Sequence, residues 1–177
     1  HVVDSTGILN REILPERLVI VGGGVIGCEF ACMYASVGVP VTVLEAMSEI
    51  CPNLDKDISA VLREELSKKG VQFKLETKVE SIGPRSVSFA DSEGSGSIEG
   101  DLVLVATGRK PNVSGLGLED LGLDFDARGV RVNDKGATNV PGLWAAGDVT
   151  GEAWLAHAAS RMAEAVSYTH LTLPTIE

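Results

Sequence analysis

The stretch Arg17 to Gly27, RLVIVGGGVIG, limits the fold of this chain more than any other. Arg17 to Val21 is short, apolar and β-branched, and it is bounded by Pro15 and by glycines, which predicts a buried strand. Gly24 to Val37 is rich in Ala, Cys, Met and Phe and stops at Gly38, which predicts a helix. Between them Gly22, Gly24 and Gly27 spell G-x-G-x-x-G. Gly22 lets the strand turn tightly, Gly24 lets a ligand approach the backbone, and Gly27 lets the helix pack closely on the sheet. A diphosphate fits such a helix start, because free N–H groups and the macrodipole favour negative charge there. Glycine-rich turns are common, so the motif counts only in context. Here the context is present. Val41 to Leu44 reads as the next apolar strand and ends at Glu45, about 20 residues on. A carboxylate in that place accepts hydrogen bonds from ribose hydroxyls and repels a 2′-phosphate. No arginine follows in the loop Ala46 to Asn53, so the pattern favours NAD over NADP. The expected contacts are Gly22, Gly23, Gly24, Val25, Ile26, Gly27 and Glu45.

Asp55 to Lys69 has helical periodicity with Ile58, Val61, Leu62 and Leu66 on one face, and Gly70 stops it. Val71 to Leu75 then supplies a third strand, so the order is βαβαβ. From Lys78 to about Glu99 short β-prone runs alternate with Gly83-Pro84 and a Gly/Ser turn, which predicts an antiparallel meander. Leu102 to Ala106 returns as a buried strand. Beyond Pro111 lie glycine-rich loops, with strands expected at Val130 to Val132 and Leu143 to Ala146 and a helix from Leu155 to Val166. The fold class is α/β, a Rossmann-like domain with a parallel sheet and a β-meander, and the alternation stops near Arg109 to Asn112.

A net charge of −10 with no basic stripe argues against nucleic acid. The longest apolar run, Leu18 to Ile26, is glycine-broken and too short for a bilayer. Cys28, Cys32 and Cys51 lack metal-ligand spacing and fit free thiols in a reducing cytoplasm. Cys28 and Cys32 stand at i and i+4 of one helix, a poor geometry for a disulfide, and read as core thiols. Glu29 is a charge in an otherwise apolar helix, costly unless paired; capping, snorkelling and function all remain open for it. The chain starts at His1 in mid-pattern and reads as a piece of a longer protein.

Four stretches occur in order: VIVGGGVIGCEFA at 19 to 31, VTVLEA at 41 to 46, VATGRKPN at 105 to 112, and LWAAGDV at 143 to 149 followed by WLAH. Together they resemble the pyridine-nucleotide disulfide oxidoreductases, from about Val3 to Val166, and most of all the branch that oxidises dihydrolipoamide. The resemblance implies NAD contacts at the glycine turn, Glu45, Val79 and Gly108, with Glu29 near nicotinamide and flavin. It implies that Asp148 binds the FAD ribityl chain and that Trp154, Leu155, Ala156 and His157 lie at the flavin, His157 through its backbone. It also implies a homodimer in the full-length protein, with dihydrolipoamide carried on an acyltransferase or carrier protein of a 2-oxoacid dehydrogenase complex.

By the same resemblance, residues 1–14 end a first FAD-domain segment, 15–109 bind NAD, and 110–166 form a second FAD-domain segment. Residues 167–177 depart from the pattern, and His170 within them is not taken for the family's catalytic histidine. The redox cysteine pair C-x-x-x-x-C and the His-Glu pair are absent, so no catalytic residue is assigned and the chain alone is expected to be inactive. Glu45 argues against the NADP-using members of the family. The other readings are another family member, such as a mercuric or glutathione-type reductase, or an NAD-binding module without catalysis.

Overall fold

The computed structural model describes residues 1–170, the last two by backbone alone. The chain divides after Gly108 into two compact units. The first begins with β1 (Val2–Val3) and α1 (Ser5–Leu9), followed by β2 (Leu18–Val21), α2 (Val25–Ser36), β3 (Val41–Leu44), α3 (Lys56–Lys68) and β4 (Gln72–Lys74). The meander β5 (Lys78–Ile82), β6 (Ser86–Asp91) and β7 (Gly94–Glu99) precedes β8 (Leu102–Val105). One parallel sheet runs in the order β1-β8-β2-β3-β4, and the meander forms its own antiparallel sheet. β1 pairs with β8 from residues that the resemblance assigns to the end of a preceding segment.

The alternation of side chains along the strands builds three layers. Leu18, Ile20, Val41, Val43, Leu102 and Leu104 face one way, into a core with Phe30, Ala31 and Tyr34 of α2 and Leu66 of α3. Val19, Leu44 and Val103 face the other way, onto Val87 of the meander and its neighbours Val79, Ile82 and Ile98. Both faces are covered, which is why β2 and β8 are apolar at every position and β3 at every position but Thr42. Each fully buried Leu, Ile or Val contributes roughly 1.5–3 kcal/mol. The buried face of α3 differs from expectation. Ser59 and Leu66 are buried and Leu62 half-buried, whereas Ile58 and Val61 are 57% and 61% exposed. Burial on α3 therefore follows the stripe that passes under Ser59, whose hydroxyl donates to the Cys51 carbonyl.

The second unit holds a hairpin of β9 (Phe125–Asp126) and β10 (Gly129–Val130), a short 3-10 turn at Asp148–Thr150 and α4 (Ala156–His170). Its small core centres on Leu118, Leu123 and Val130. The strand expected at Val130 to Val132 pairs only through Gly129–Val130. Leu143 to Ala146 is not a strand: only Trp144 bridges, to Ala137. The Leu143 N–H turns back to the Val140 carbonyl and the Ala145 N–H goes to Gly136, so the segment is a loop knotted by turns. Residues 167–170 continue α4, while 171–177, Pro174 among them, lie outside the described residues.

Candidate functional site

The carboxyl ends of β2 and β3 meet at the glycine turn, the edge where open parallel sheets bind ligands. Gly22 has φ +106, and a Cβ there would come within 2.5 Å of the Ala106 carbonyl oxygen. At Gly27 a Cβ would overlap the Gly22 carbonyl oxygen. These two glycines are therefore required by the protein itself. Gly24 is different. It caps α2 with φ −71 and ψ −176, a conformation open to any residue, and a Cβ there would meet nothing within 4 Å. No side chain among the described residues caps the helix, although Ser, Asp or Asn would ordinarily do so. Neither fold nor helix needs glycine at this position. What the absent side chain leaves is a clear approach to uncapped N–H groups, which fits a diphosphate. Val25 is exposed beside the opening, and Ile26 packs against the main core.

Glu45 is 8% exposed, and its carboxylate is tied to the turn. Oε2 accepts from the Gly23 N–H at 2.6 Å and Oε1 from the Met47 N–H at 2.8 Å. A carboxylate has about four lone-pair sites, so about two remain able to accept a further donor. Glu45 thus both fixes the turn and keeps acceptor capacity. The loop that follows is held as firmly: the Cys51 N–H donates to the Gly23 carbonyl, and Ile50 lies against Gly23.

The sequence reading missed Arg63 here. No arginine stands within the loop, but α3 brings one to it. Arg63 donates to both carboxylate oxygens of Glu49, at 2.8 and 3.1 Å. The guanidinium holds the Glu49 carboxyl below its ordinary range, and the pairing raises Arg63 in turn. Its charge is committed within the loop. Only the packing of α3 reveals this pair, because 14 residues separate the partners.

Glu29 is exposed on the outer face of α2, so the burial cost expected from sequence does not arise. Val79 is half-buried in β5, against the apolar cluster beneath the meander and next to a register shift. Gly108 is exposed with φ +122 at the end of the first unit. A cavity of about 350 Å³ lined by Arg17, Pro40, Thr42, Gly70 and Gln72 opens at the amino ends of β2 and β3. That is the wrong end of a parallel sheet for a nucleotide.

In the second unit Asp148 opens the 3-10 turn and is exposed. The turn is fixed by its flanks: Gly151 has φ +73, and a Cβ there would overlap the Arg128 carbonyl oxygen. Thr150 donates twice to the Gly147 carbonyl, through its N–H at 3.0 Å and its hydroxyl at 2.8 Å. Trp154 is 37% and Leu155 52% exposed. Ala156 and His157 are exposed in the first turn of α4, where N–H groups are available to an acceptor.

Residues 1–163 match the family model described as pyridine nucleotide-disulphide oxidoreductase. The chain is 40% identical over 165 residues to dihydrolipoyl dehydrogenase 3 of Pseudomonas putida, covering 90% of this chain and 35% of that protein. It is 40% identical to the dihydrolipoyl dehydrogenase of Acholeplasma laidlawii, covering 89% of this chain and 46% of that one. Among solved structures, the HOCl-induced flavoprotein disulfide reductase of Escherichia coli is similar at TM-score 0.85 and 35% identity, over 96% of this chain and 39% of that one. The chain thus spans between about a third and a half of the length of these relatives. The matching model, running from the first residue through the glycine turn and the 3-10 turn into α4, makes this chain a member of the pyridine nucleotide-disulphide oxidoreductase family.

Proposed function

We propose that this chain is the NAD-binding station, with part of the FAD cradle, of a disulfide oxidoreductase of the dihydrolipoyl dehydrogenase kind. The observation that carries the reading is Gly24, a glycine that no internal contact or backbone angle requires, at the uncapped start of α2. The helix start would hold the diphosphate, Glu45 the adenosine ribose, and Val79 and Gly108 would line the nucleotide. Glu29 would stand toward the nicotinamide. Asp148 would accept from the ribityl hydroxyls, and the backbone of Leu155, Ala156 and His157, beside Trp154, would face the flavin. When bound, the flavin and the nicotinamide supply the hydride exchange, and the residues of this chain orient the two partners. In the full-length protein the electrons would come from dihydrolipoamide carried by a 2-oxoacid dehydrogenase complex, in a cytoplasmic homodimer. The similarity to the Escherichia coli reductase favours one second reading, a family member that acts on another disulfide.

Glu45 would repel a 2′-phosphate. Solvent-screened, this is worth roughly 1–3 kcal/mol, on the order of tenfold to a hundredfold in affinity. Calorimetric titration of NADH and NADPH into the purified chain tests the reading. NADH should bind more tightly by about that factor; equal affinities would overturn the assignment of Glu45.

A further inference from the structure

Two of the three cysteines, 23 residues apart in sequence, meet beneath the glycine turn. The Cys51 thiol donates to the Cys28 sulfur at 3.9 Å, and the Cys28 thiol donates to the Gly23 carbonyl at 3.4 Å. The same carbonyl accepts the Cys51 N–H at 2.9 Å. Cys51 holds a left-handed backbone, φ +46, which non-glycine residues seldom adopt. Several contacts impose it, because the Cys51 carbonyl also accepts from the Leu54 N–H and the Ser59 hydroxyl. Cys32 takes no part in this arrangement: α2 leaves it half-buried, one turn past Cys28.

We propose that Cys28 and Cys51 are a reversible disulfide pair, and that their oxidation by a hydroperoxide weakens nucleotide binding at the turn above them. One thiolate attacks the peroxide, the O–O bond breaks, and a sulfenic acid and an alcohol (water, for hydrogen peroxide) result. The second thiol displaces water from the sulfenic sulfur. Overall two thiols give up two electrons and two protons, and the peroxide takes them. A dithiol reverses the bond by exchange. The sulfurs must approach by roughly 2 Å to reach bonding distance. The movement removes the thiol hydrogen bond to Gly23 and pulls on both segments that hold the turn. Burial raises both thiols above their ordinary range, so they react only when the turn opens. Bound NADH, holding the turn closed, should slow the reaction.

The coupling to NADH rests on the function proposed above, whereas the disulfide does not. Cleavage after glutamate isolates each cysteine, at Glu29, Glu45 and Glu49, so mass spectrometry of the chain after hydrogen peroxide identifies any crosslink. The expected product joins the Cys28 and Cys51 peptides, forms more slowly with NADH, persists in Cys32→Ser, is lost in Cys28→Ala and Cys51→Ser, and disappears with dithiothreitol. The oxidised chain should bind NADH ~tenfold more weakly, as would follow if the displaced turn loses about one of its backbone N–H bonds to the diphosphate. Over-oxidised thiols without that crosslink, or a crosslink through Cys32, would overturn the pair. The right crosslink with unchanged NADH affinity would overturn the coupling. Failure of the reduced chain to bind NADH would overturn the nucleotide reading and the coupling with it, while the crosslink is decided by mass alone.

Discussion

The glycine turn of the first unit and the 147–157 segment of the second each set an acid beside a helix start, but they are built differently. Glu45 is buried, with both carboxylate oxygens on backbone N–H groups of the turn it serves. Asp148 is exposed, and its surroundings are fixed through Gly147, Thr150 and Gly151 instead. In the first region the atoms proposed to recognise a ligand also hold the fold. In the second only the backbone is preassembled. Mutations should therefore mix stability with binding in the first region and separate them in the second.

The largest effects should come from the glycines that both regions need. Gly27→Ala and Gly151→Ala each force a Cβ into a backbone carbonyl, and each should cost roughly 3 kcal/mol or more. Thermal unfolding should show a clear drop in Tm for both variants, and a variant that melts like the wild type would contradict the close backbone approach at that glycine. The acids come next. Glu45→Ala leaves the Gly23 and Met47 N–H groups without their acceptor and should cost about 1–3 kcal/mol, besides abolishing the preference for NADH. Asp148→Ala should change stability by no more than ~0.5 kcal/mol, as exposed positions generally do. Equal losses in chemical denaturation would erase the contrast between the regions.

The smallest effect tests the loop beside Glu45. Arg63 lowers the Glu49 carboxyl below its ordinary 4.5. A depressed acid stabilises the fold above its unfolded pKa, and that contribution fades as pH falls through the folded value. Glu49→Gln should cost on the order of 0.5–1 kcal/mol at pH ~7, and the difference should shrink as pH falls through the acid range. Melting curves of both proteins across that range check the sign.

Much of the first unit was legible because its signals are local. Continuous β-branched runs fixed β2, β3 and β8, and the glycine spacing with Glu45 located the turn. What escaped was nonlocal. Arg63 reaches Glu49, and Cys51 reaches Cys28, only because α3 and the loop fold back on the turn. The outward Ile58 and Val61 misled for a related reason: periodicity identifies a helix, but the surface beneath it decides which stripe is buried. In the second unit, Leu143 to Ala146 has the composition of a strand, yet its N–H groups are consumed by turns around Val140 and Gly136. Composition cannot register that competition.

Gly24→Ala separates ligand binding from folding at the glycine turn. Its Cβ enters empty space at a permitted backbone angle, and alanine is a slightly poorer helix cap than glycine. Stability should fall by less than ~1 kcal/mol. If the clearing exists for a diphosphate, NADH affinity measured by calorimetry on the same folded protein should fall at least ~tenfold, through lost hydrogen bonds to charge. A variant that melts like the wild type and binds NADH equally well would contradict the account.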